Sequence, residues 1–475
     1  MTDSTRTEKD PLGELEVPAA ALYGIQTLRA VRNFPISGLK PLAPFVDATI
    51  RIKRAAAITH KKTGRLEARL ADAIIAAADE ILAGQYRDQF VVDVYQAGAG
   101  TSHNMNTNEV LANRANEILG GARGDYKPVH PNDHVNMAQS TNDVIPTAIR
   151  VACVTELPKL LAAYESLIVA LEEKGREFDG VLKSGRTHLQ DAMPIRLGQE
   201  FTAYAGSLRR CIRRVEEAAE YLRDLGIGGS AVGTGVTVEP EYPALMVSAL
   251  REMTGVELRE GDDRIQLMQS MGDAAAFSAQ LKVLALDLSK IASDLRILAS
   301  GPRTGFDEIR LPAVQPGSSI MPGKVNPSIP EMVNQVCFQV IGNDACVSAS
   351  AEHGQLELNV MMPVIAHNVL MSMQILTSTA TTLADRCVKG IEANAEQCSY
   401  WLERSAALAT ALAPQIGYAR AAEISKQSVK ENVLIRELVK RERVLPDAEI
   451  DKVLDLRQMT EIGVPGGKHG GGSAG

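Results

Sequence analysis

The sequence predicts an all-α protein whose centre is a bundle of long helices. Aromatic residues make up only 4% of the 475 residues, whereas alanine and leucine are abundant, and this balance favours helices over sheets. In the central third of the chain, apolar residues recur at alternating spacings of three and four, the heptad pattern of helices that pack at a shallow angle. Because a chain of this length is too long for one simple core, several domains are expected.

The first hundred residues predict irregular chain followed by helices. Residues 1–40 are rich in proline and glycine, and are expected to form an irregular N-terminal segment with short strands at most. Residues 44–82 are rich in alanine with interspersed charges, and predict two helices interrupted near Gly64. Residues 96–108 are expected to be loop-like, with the next helix starting at Asn104.

The central third predicts the long helices of the bundle. Helices are expected over residues 154–178 and from Pro363 to about Lys389. Two further stretches carry the heptad pattern, which falls on Phe201, Tyr204, Leu208, Cys211, Val215, Ala218 and Leu222, and on Leu281, Leu284, Leu288, Ile291, Leu295 and Leu298. Helices this long predict an elongated bundle. Such apolar stripes suit packing within a subunit or between subunits, and we favour a homo-oligomer.

We expect three domains in the chain. They are an N-terminal, mostly helical domain over residues 1–141, a central helix-bundle domain over 142–395, and a small C-terminal helical domain over 396–475. The last domain ends in a glycine-rich tail, residues 466–475, which we expect to be disordered.

Composition and charge exclude several classes of protein. A net charge of −8 argues against a nucleic-acid binder, which needs a basic face. The polar N-terminus lacks a secretory signal, and no apolar run is long enough to span a bilayer. The six cysteines lack CxxC pairing and predict reduced thiols, and no cluster of cysteine and histidine has the spacing of a metal site. We therefore expect a cytoplasmic protein without a metal site.

The segment of residues 317–327, called the flap below, combines chain-breaking residues with polar side chains. Its breaking residues are Gly317, Pro322, Gly323 and Pro327. Its polar residues are Ser318, Ser319, Lys324 and Asn326. Conformational freedom beside several polar groups predicts a lid that closes over an active site. The segment does not match a nucleotide phosphate loop, because five residues separate Gly317 from Gly323 and Val325 stands where a hydroxyl is needed.

Three more polar clusters lie at residues 98–108, 139–143 and 183–191. Taken singly, each cluster is more typical of helix caps and turns than of a functional site. Together they repeat one chemistry, with many neutral donors and few carboxylates near several helix starts. Such a set suits a site that holds a small anion and stabilises growing negative charge.

The flap resembles the signature loop of the aspartase/fumarase superfamily, and the resemblance runs from about Thr7 to Gly463. Within that superfamily, the sequence is closer to the aspartase branch. Thr141 stands where fumarases usually carry a second serine, and Gln190 where they usually carry methionine. Residues 341–344, Ile-Gly-Asn-Asp, also match aspartases, since fumarases typically end this segment in histidine.

The resemblance implies an architecture and a reaction. Each subunit would have three domains, and the central bundles of a homotetramer would join into a twenty-helix core. Active sites would be shared by three subunits. The implied reaction is the reversible, cofactor-free deamination of L-aspartate to fumarate and ammonia, by removal of a β-proton through an enediolate.

The resemblance also assigns roles to residues. Ser318, acting as an alkoxide, would be the base that removes the proton, and His188 is expected to be catalytic with it. The β-carboxylate would be held by Thr101, Ser140, Thr141 and Ser319. The α-carboxylate would be bound by Lys324 and Asn326, and the amino group would be surrounded by Asn142, Thr187 and His188.

Three other functions are compatible with this resemblance. A fumarate hydratase would add water to the same alkene, and a related lyase would act on a larger substituted aspartate. A catalytically silent structural protein could reuse the scaffold. Retention of Ser318, Lys324, Asn326 and Asn142 argues against the silent protein, because a structural role would not demand all four.

Overall fold

The computed structural model of the chain describes residues 4–467, and helix dominates this range. The helices are α1 (Ile25–Asn33), α2 (Ala43–Lys62), α3 (Ala68–Leu82), α4 (Thr101–Ile118), α5 (Thr141–Glu177), α6 (Leu197–Ala219), α7 (Tyr242–Thr254), α8 (Arg264–Gln269), α9 (Gly272–Leu298), α10 (Ser328–Glu352), α11 (Met362–Arg386), α12 (Ala395–Arg404), α13 (Ala413–Ile416), α14 (Tyr418–Glu431), α15 (Ile435–Arg441) and α16 (Asp447–Val453). The all-α prediction is confirmed.

Short strands pair two by two within the described residues. The pairs are β1 (Thr5–Asp10) with β2 (Gly13–Pro18), β3 (Leu182–Thr187) with β4 (Gln190–Arg196), β5 (Asp224–Leu225) with β6 (Arg259–Glu260), and β7 (Ile309–Arg310) with β8 (Glu392–Ala393). The β5–β6 pair is parallel and the others are antiparallel.

The five longest helices have 23 residues or more, and two of them, α6 and α9, are those for which the heptad pattern was found. They are α5 with 37 residues, α6 with 23, α9 with 27, and α10 and α11 with 25 each. The α9 heptad residues are all buried, from Leu281 at 0% exposure to Leu298 at 7%. On α6 the pattern drifts near its end, where Ala219 rather than Ala218 is buried, because an α-helix has 3.6 rather than 3.5 residues per turn.

Two of the predicted helix boundaries are wrong. Helix α5 begins at Thr141 rather than near residue 154, since full burial of Val144 and Ile145 outweighs the one backbone bond that Pro146 lacks. Helix α4 begins at Thr101, so most of the expected loop 96–108 is helical. Its amide side chains bind neighbouring backbone: Asn106, for example, accepts the N–H of Val91 and donates to the carbonyl of Gln89.

The N-terminal segment is more regular than its composition predicts. Its short strands are confirmed as the β1–β2 hairpin, but α1 was not predicted. Helix α1 has no cap of its own. Instead Glu109 of α4 accepts the backbone N–H groups of Gly24, Gln26 and Thr27 at 2.9, 3.0 and 3.1 Å, and so caps α1 from a distant part of the sequence.

The chain forms two compact units. The first comprises Met1–Ala162, described from residue 4, with Cys211–Ala285 and Val336–Thr377. The second comprises Ala163–Arg210, Leu286–Gln335 and Ser378–Gly475, described to residue 467. The boundaries fall inside the five long helices, and the three-domain division stays a prediction. The predicted tail lies almost wholly outside the described residues.

Each unit has its own apolar core. In the first unit α2, α3 and α4 pack around Ile50, Ile74 and Val110, and Gly64, at φ +74°, separates α2 from α3 as predicted. In the second unit the helices after residue 395 pack around Leu412 and Ile424. No helix between residues 4 and 467 is long and apolar enough to cross a membrane.

Candidate active site

In the first unit, the N-termini of α4 and α5 lie side by side. Thr101 is the first residue of α4, and Asn104, one turn later, donates from Nδ2 to Thr141 Oγ1 at 3.0 Å. A Cβ on Gly100 would lie 3.1 Å from the side chain of Ile145, so glycine permits this approach. Helix N-termini carry free N–H groups and partial positive charge, so the pair forms a favourable place for an anion.

The hydroxyl groups at the start of α5 remain able to donate. Ser140 precedes the helix, and its Oγ accepts the backbone N–H of Asn142 at 3.2 Å. Thr141 Oγ1 accepts from Asn104. A hydroxyl that accepts one bond keeps its O–H for another partner. Ser140 therefore caps helix α5, and its O–H group can still donate a hydrogen bond to an anion.

A buried polar network that was not predicted supports Thr141. Lys53 of α2 is fully buried, and its Nζ donates to Asn136 Oδ1 at 2.8 Å and to Gln139 Oε1 at 3.0 Å. Asn136 Oδ1 also accepts from Asn104 at 3.3 Å. Burial lowers the pKa of Lys53 to about 7. No sequence signal indicated this role, because Lys53 is one of several charges interspersed along α2.

In the second unit, Thr187 and His188 occupy the tip of the β3–β4 hairpin. Both are exposed, and the two turn residues His188 and Leu189 have φ of 56° and 58°. Such a turn usually contains asparagine or glycine, so its residues gave no hairpin signal. The polar cluster of residues 183–191 is thus a rigid hairpin that presents its tip to solvent.

Buried ion pairs fix the base of this hairpin. Lys183 is 1% exposed and lies 2.9 Å from Glu200 Oε1 and 3.2 Å from Glu308 Oε2. Arg186 donates to Glu308 Oε1 at 2.8 Å, and its guanidinium lies 4.1 Å from the centre of the Phe306 ring. Removing one partner of such a buried pair is costly, so the hairpin is held firmly behind its tip.

The flap has neither helix nor strand, as predicted, and its two ends are joined. The N–H of Gly317 donates to the carbonyl of Lys324 at 2.8 Å, and Asn326 Nδ2 donates to the carbonyl of Gly317 at 2.7 Å. A Cβ at position 317 would lie 2.5 Å from the Lys324 carbonyl oxygen, so only glycine fits there. Ile320, at 84% exposure, is at the apolar tip.

Within the flap, two backbone N–H groups point at Ser318. Its Oγ accepts from Ile320 at 3.2 Å and from Met321 at 3.0 Å. Donors in this arrangement stabilise negative charge on the serine oxygen. At the other end of the flap, Lys324 and Asn326 line a cavity of about 540 Å³ together with Arg296 and Glu331.

The ten candidate residues are divided between the two units. Those of the first unit are Thr101, Ser140, Thr141 and Asn142, which the α4–α5 contact brings together. Those of the second unit are Thr187 and His188 on the hairpin and Ser318, Ser319, Lys324 and Asn326 on the flap. Between residues 4 and 467, no group of three or more histidine, cysteine, aspartate or glutamate side chains is placed to hold a metal.

The sequence and the helical fold both match those of a lyase family. The family described as "Lyase" matches residues 13–342, and the family described as "Fumarase C C-terminus" matches residues 408–461. The chain belongs to this lyase family.

Three relatives illustrate the similarity. The aspartate ammonia-lyase of Bacillus subtilis (strain 168) is 48% identical over 461 residues, which cover 97% of each chain. The class II fumarate hydratase of Halobacterium salinarum is 48% identical over 468 residues, covering 98% of this chain and 99% of that protein. A structure of fumarate lyase:delta crystallin from Brucella melitensis bound to cobalt has a TM-score of 0.92 at 50% identity, covering 96% of this chain and 100% of that one.

Proposed function

We propose that this lyase is an aspartate ammonia-lyase, which converts L-aspartate reversibly to fumarate and ammonia. The 48% identity to the Bacillus subtilis protein over 97% of both chains supports the substrate. The observation that carries the chemistry is the surrounding of Ser318, whose Oγ accepts two backbone N–H groups of the flap. These donors favour the alkoxide over the neutral hydroxyl, which is a weak base.

The difficult step of the reaction is removal of the proton from Cβ, and the proposed site stabilises the negative charge that this step creates. The Ser318 alkoxide takes a proton from Cβ, and the electron pair of the C–H bond moves into the neighbouring carboxylate. The resulting enediolate carries two negative charges on one group. Each well-placed donor can be worth about 3–4 kcal/mol to such a charge. The C–N bond then breaks, and ammonia leaves with the proton already on its nitrogen.

In this proposal, a different set of candidate residues binds each polar group of the substrate. Thr101, Ser140, Thr141 and Ser319 donate to the β-carboxylate. Lys324 pairs with the α-carboxylate, and Asn326 orients it. Asn142, Thr187 and His188 surround the amino group. The free O–H groups of Ser140 and Thr141 support this division, because their oxygens already accept other bonds.

The assembly in this proposal is a cytoplasmic homotetramer whose active sites draw on three subunits. Large apolar side chains of the bundle helices support an oligomer, since Phe338 of α10 is 64% exposed and Leu286 of α9 is 49% exposed on the single chain. Large apolar side chains exposed on long helices suit packing against another subunit. The proposal includes no cofactor.

Fumarate hydratase is the second candidate, because a protein of that name is also 48% identical. Thr141 and Gln190 favour the deaminase. The purified protein should be incubated with fumarate in the presence and absence of ammonium, with fumarate absorbance and the product followed. We expect fumarate to disappear only with ammonium and L-aspartate to form. Malate formation without ammonium would replace the proposal by the hydratase, and inertness in both would leave a structural protein.

A further inference from the structure

Asp143, in the first turn of α5, joins that helix to a glycine-rich loop at residues 226–231. One carboxylate oxygen, Oδ1, accepts the N–H of Ser140 at 2.9 Å. The other, Oδ2, accepts the N–H groups of Gly228 and Ser230, each at 3.0 Å. All these residues belong to the first unit, and Asp143 is fully buried. The Asp143 side chain therefore holds the N-terminus of α5, with Ser140, Thr141 and Asn142, against the loop.

The loop has a backbone shape that suits this contact. Gly228 has φ +90°, and a Cβ there would lie 2.7 Å from Pro243 Cγ, so no side chain fits. Ser230 also has positive φ, at 57°. These two conformations turn the N–H groups of residues 228 and 230 toward the same oxygen of Asp143. Positive φ at a residue other than glycine is strained, and persists where the surroundings enforce it.

The same loop fixes the direction of the Asn142 amide. Asn142 Nδ2 donates to the carbonyl oxygen of Ala231 at 2.8 Å. A carbonyl can only accept, so the NH₂ group must face Ala231 and Oδ1 must face the other way. No donor among residues 4–467 makes a hydrogen bond to that oxygen. Asn142 thus has a side-chain hydrogen-bond acceptor available in the first turn of α5.

The charge on Asp143 is expensive to bury, which argues for a specific role. A carboxylate without water must be compensated by donors. Here three N–H groups, the positive end of α5 and the charge of Lys53 supply that compensation. Burial nevertheless raises the pKa of Asp143 to about 6. A neutral residue of similar size could not accept all three bonds.

We propose that Asp143 is a positioning residue for the amino-group side of the site. It holds the loop 226–231 so that Ala231 orients Asn142, and Asn142 Oδ1 then accepts an N–H of the substrate amino group or of ammonia. An amide oxygen attracts N–H donors and repels a carboxylate, so this orientation favours amine over anion at that position. The inference rests on the proposed function and deepens it.

The first test replaces the carboxylate by an amide. Asp143→Asn puts an NH₂ group against backbone donors, and kcat/KM for deamination should fall about 100-fold, the effect of displacing a site by about 1 Å. The matched control is Glu109→Gln. Glu109 is also buried, accepts three backbone N–H groups, and has a pKa that burial raises to about 6. The control should lose stability but keep kcat/KM.

The second test disturbs the contact between Asp143 and the loop by a substitution in the loop, so that α5 itself is unchanged. Gly228→Ala should move the loop, whereas Gly255→Ala, at φ +67° with open space around its Cβ, carries a similar backbone penalty away from the site. In the reverse reaction, Gly228→Ala should raise KM for ammonium about tenfold or more, the worth of one hydrogen bond to a charged group. KM for fumarate should stay nearly constant, and Gly255→Ala should leave both unchanged.

The outcomes separate this inference from the proposed function. Wild-type protein without ammonia-lyase activity overturns both. An active wild type with Asp143→Asn as active as Glu109→Gln, compared at equal folded fractions, overturns the inference alone. If Asp143→Asn does not fold, the glycine pair decides: equal increases in both KM values for Gly228→Ala, or no increase in either, contradict a role in orienting Asn142.

Discussion

At the scale of single residues, the surroundings of Ser318 matter more than its presence in the sequence. The flap composition predicted a polar lid, and the resemblance assigned the serine as base. The two N–H groups that point at its oxygen come from Ile320 and Met321, apolar residues that no sequence pattern marks as donors. Backbone donors are available at every residue except proline, so only the fold decides which of them converge.

Ser318→Ala should abolish turnover and leave the protein folded. A positioned base contributes about 100- to 10,000-fold to the rate, so kcat should fall by that factor. Tm should hardly change, because the Ser318 hydroxyl bonds only within the flap. Steady-state kinetics and thermal unfolding measure the two effects. Ser425→Ala on α14 is the matched control, and a kcat of Ser318→Ala close to that control would exclude Ser318 as the base.

The hydrogen-bond partners of Lys53 and Asn142 could not be predicted from the sequence. Asn142 was predicted from its polar cluster, but the carbonyl that orients it, Ala231, lies far along the sequence. Lys53 was not predicted at all, since a lysine among apolar residues of a helix usually has an exposed end. Its partners Asn136 and Gln139 come from a different element. Such contacts depend on the tertiary arrangement and leave no local pattern.

At the scale of elements, the sequence predicts helices well where apolar periodicity is strong and poorly where an end is fixed from elsewhere. The α9 heptad was predicted residue by residue, because burial along a long helix requires that periodicity. Helix α1 was missed because its cap comes from Glu109. The β3–β4 hairpin was missed because its turn, His188-Leu189, contains neither glycine nor asparagine.

The packing of α2 against α4 gives a prediction about pH. His103 of α4 is fully buried, stacks on Phe45 of α2 at 4.5 Å, and lies 3.1 Å from Thr49 Oγ1. Burial, with the nearby charge of Lys53, lowers its pKa from 6.5 to about 3. Between about pH 6.5 and pH 3, His103 is therefore protonated in the unfolded chain but neutral in the folded protein. This contribution to stability is complete above about pH 6.5 and is lost as the pH falls toward 3.

Thermal unfolding between pH 8 and pH 5 tests this titration. Tm of the wild type should fall more steeply on acidification than Tm of His103→Gln, which has no imidazole to protonate. His353→Gln is the control, because His353 is exposed, and its curve should run parallel to the wild type. Parallel curves for His103→Gln and the wild type would refute the titration of His103.

At the scale of the whole molecule, the candidate residues belong to two compact units whose boundaries fall inside the long helices. The sequence predicted the bundle and its heptad seams, because those depend on local periodicity. It could not predict the division into units, since each unit combines segments far apart in the chain. The active site shared by three subunits and the tetramer follow from the resemblance, and stay proposals.

A crystal structure of the enzyme with L-aspartate bound and the flap closed tests the central claim most directly. The distance to measure joins Ser318 Oγ to the substrate Cβ, the atom that loses the proton. We expect about 3–3.5 Å, the separation of reacting atoms that are ready for transfer, with Asn142 Oδ1 within hydrogen-bond distance of the amino nitrogen. A closed flap that leaves Ser318 Oγ more than about 6 Å from Cβ, beyond any direct transfer, would contradict the proposed mechanism.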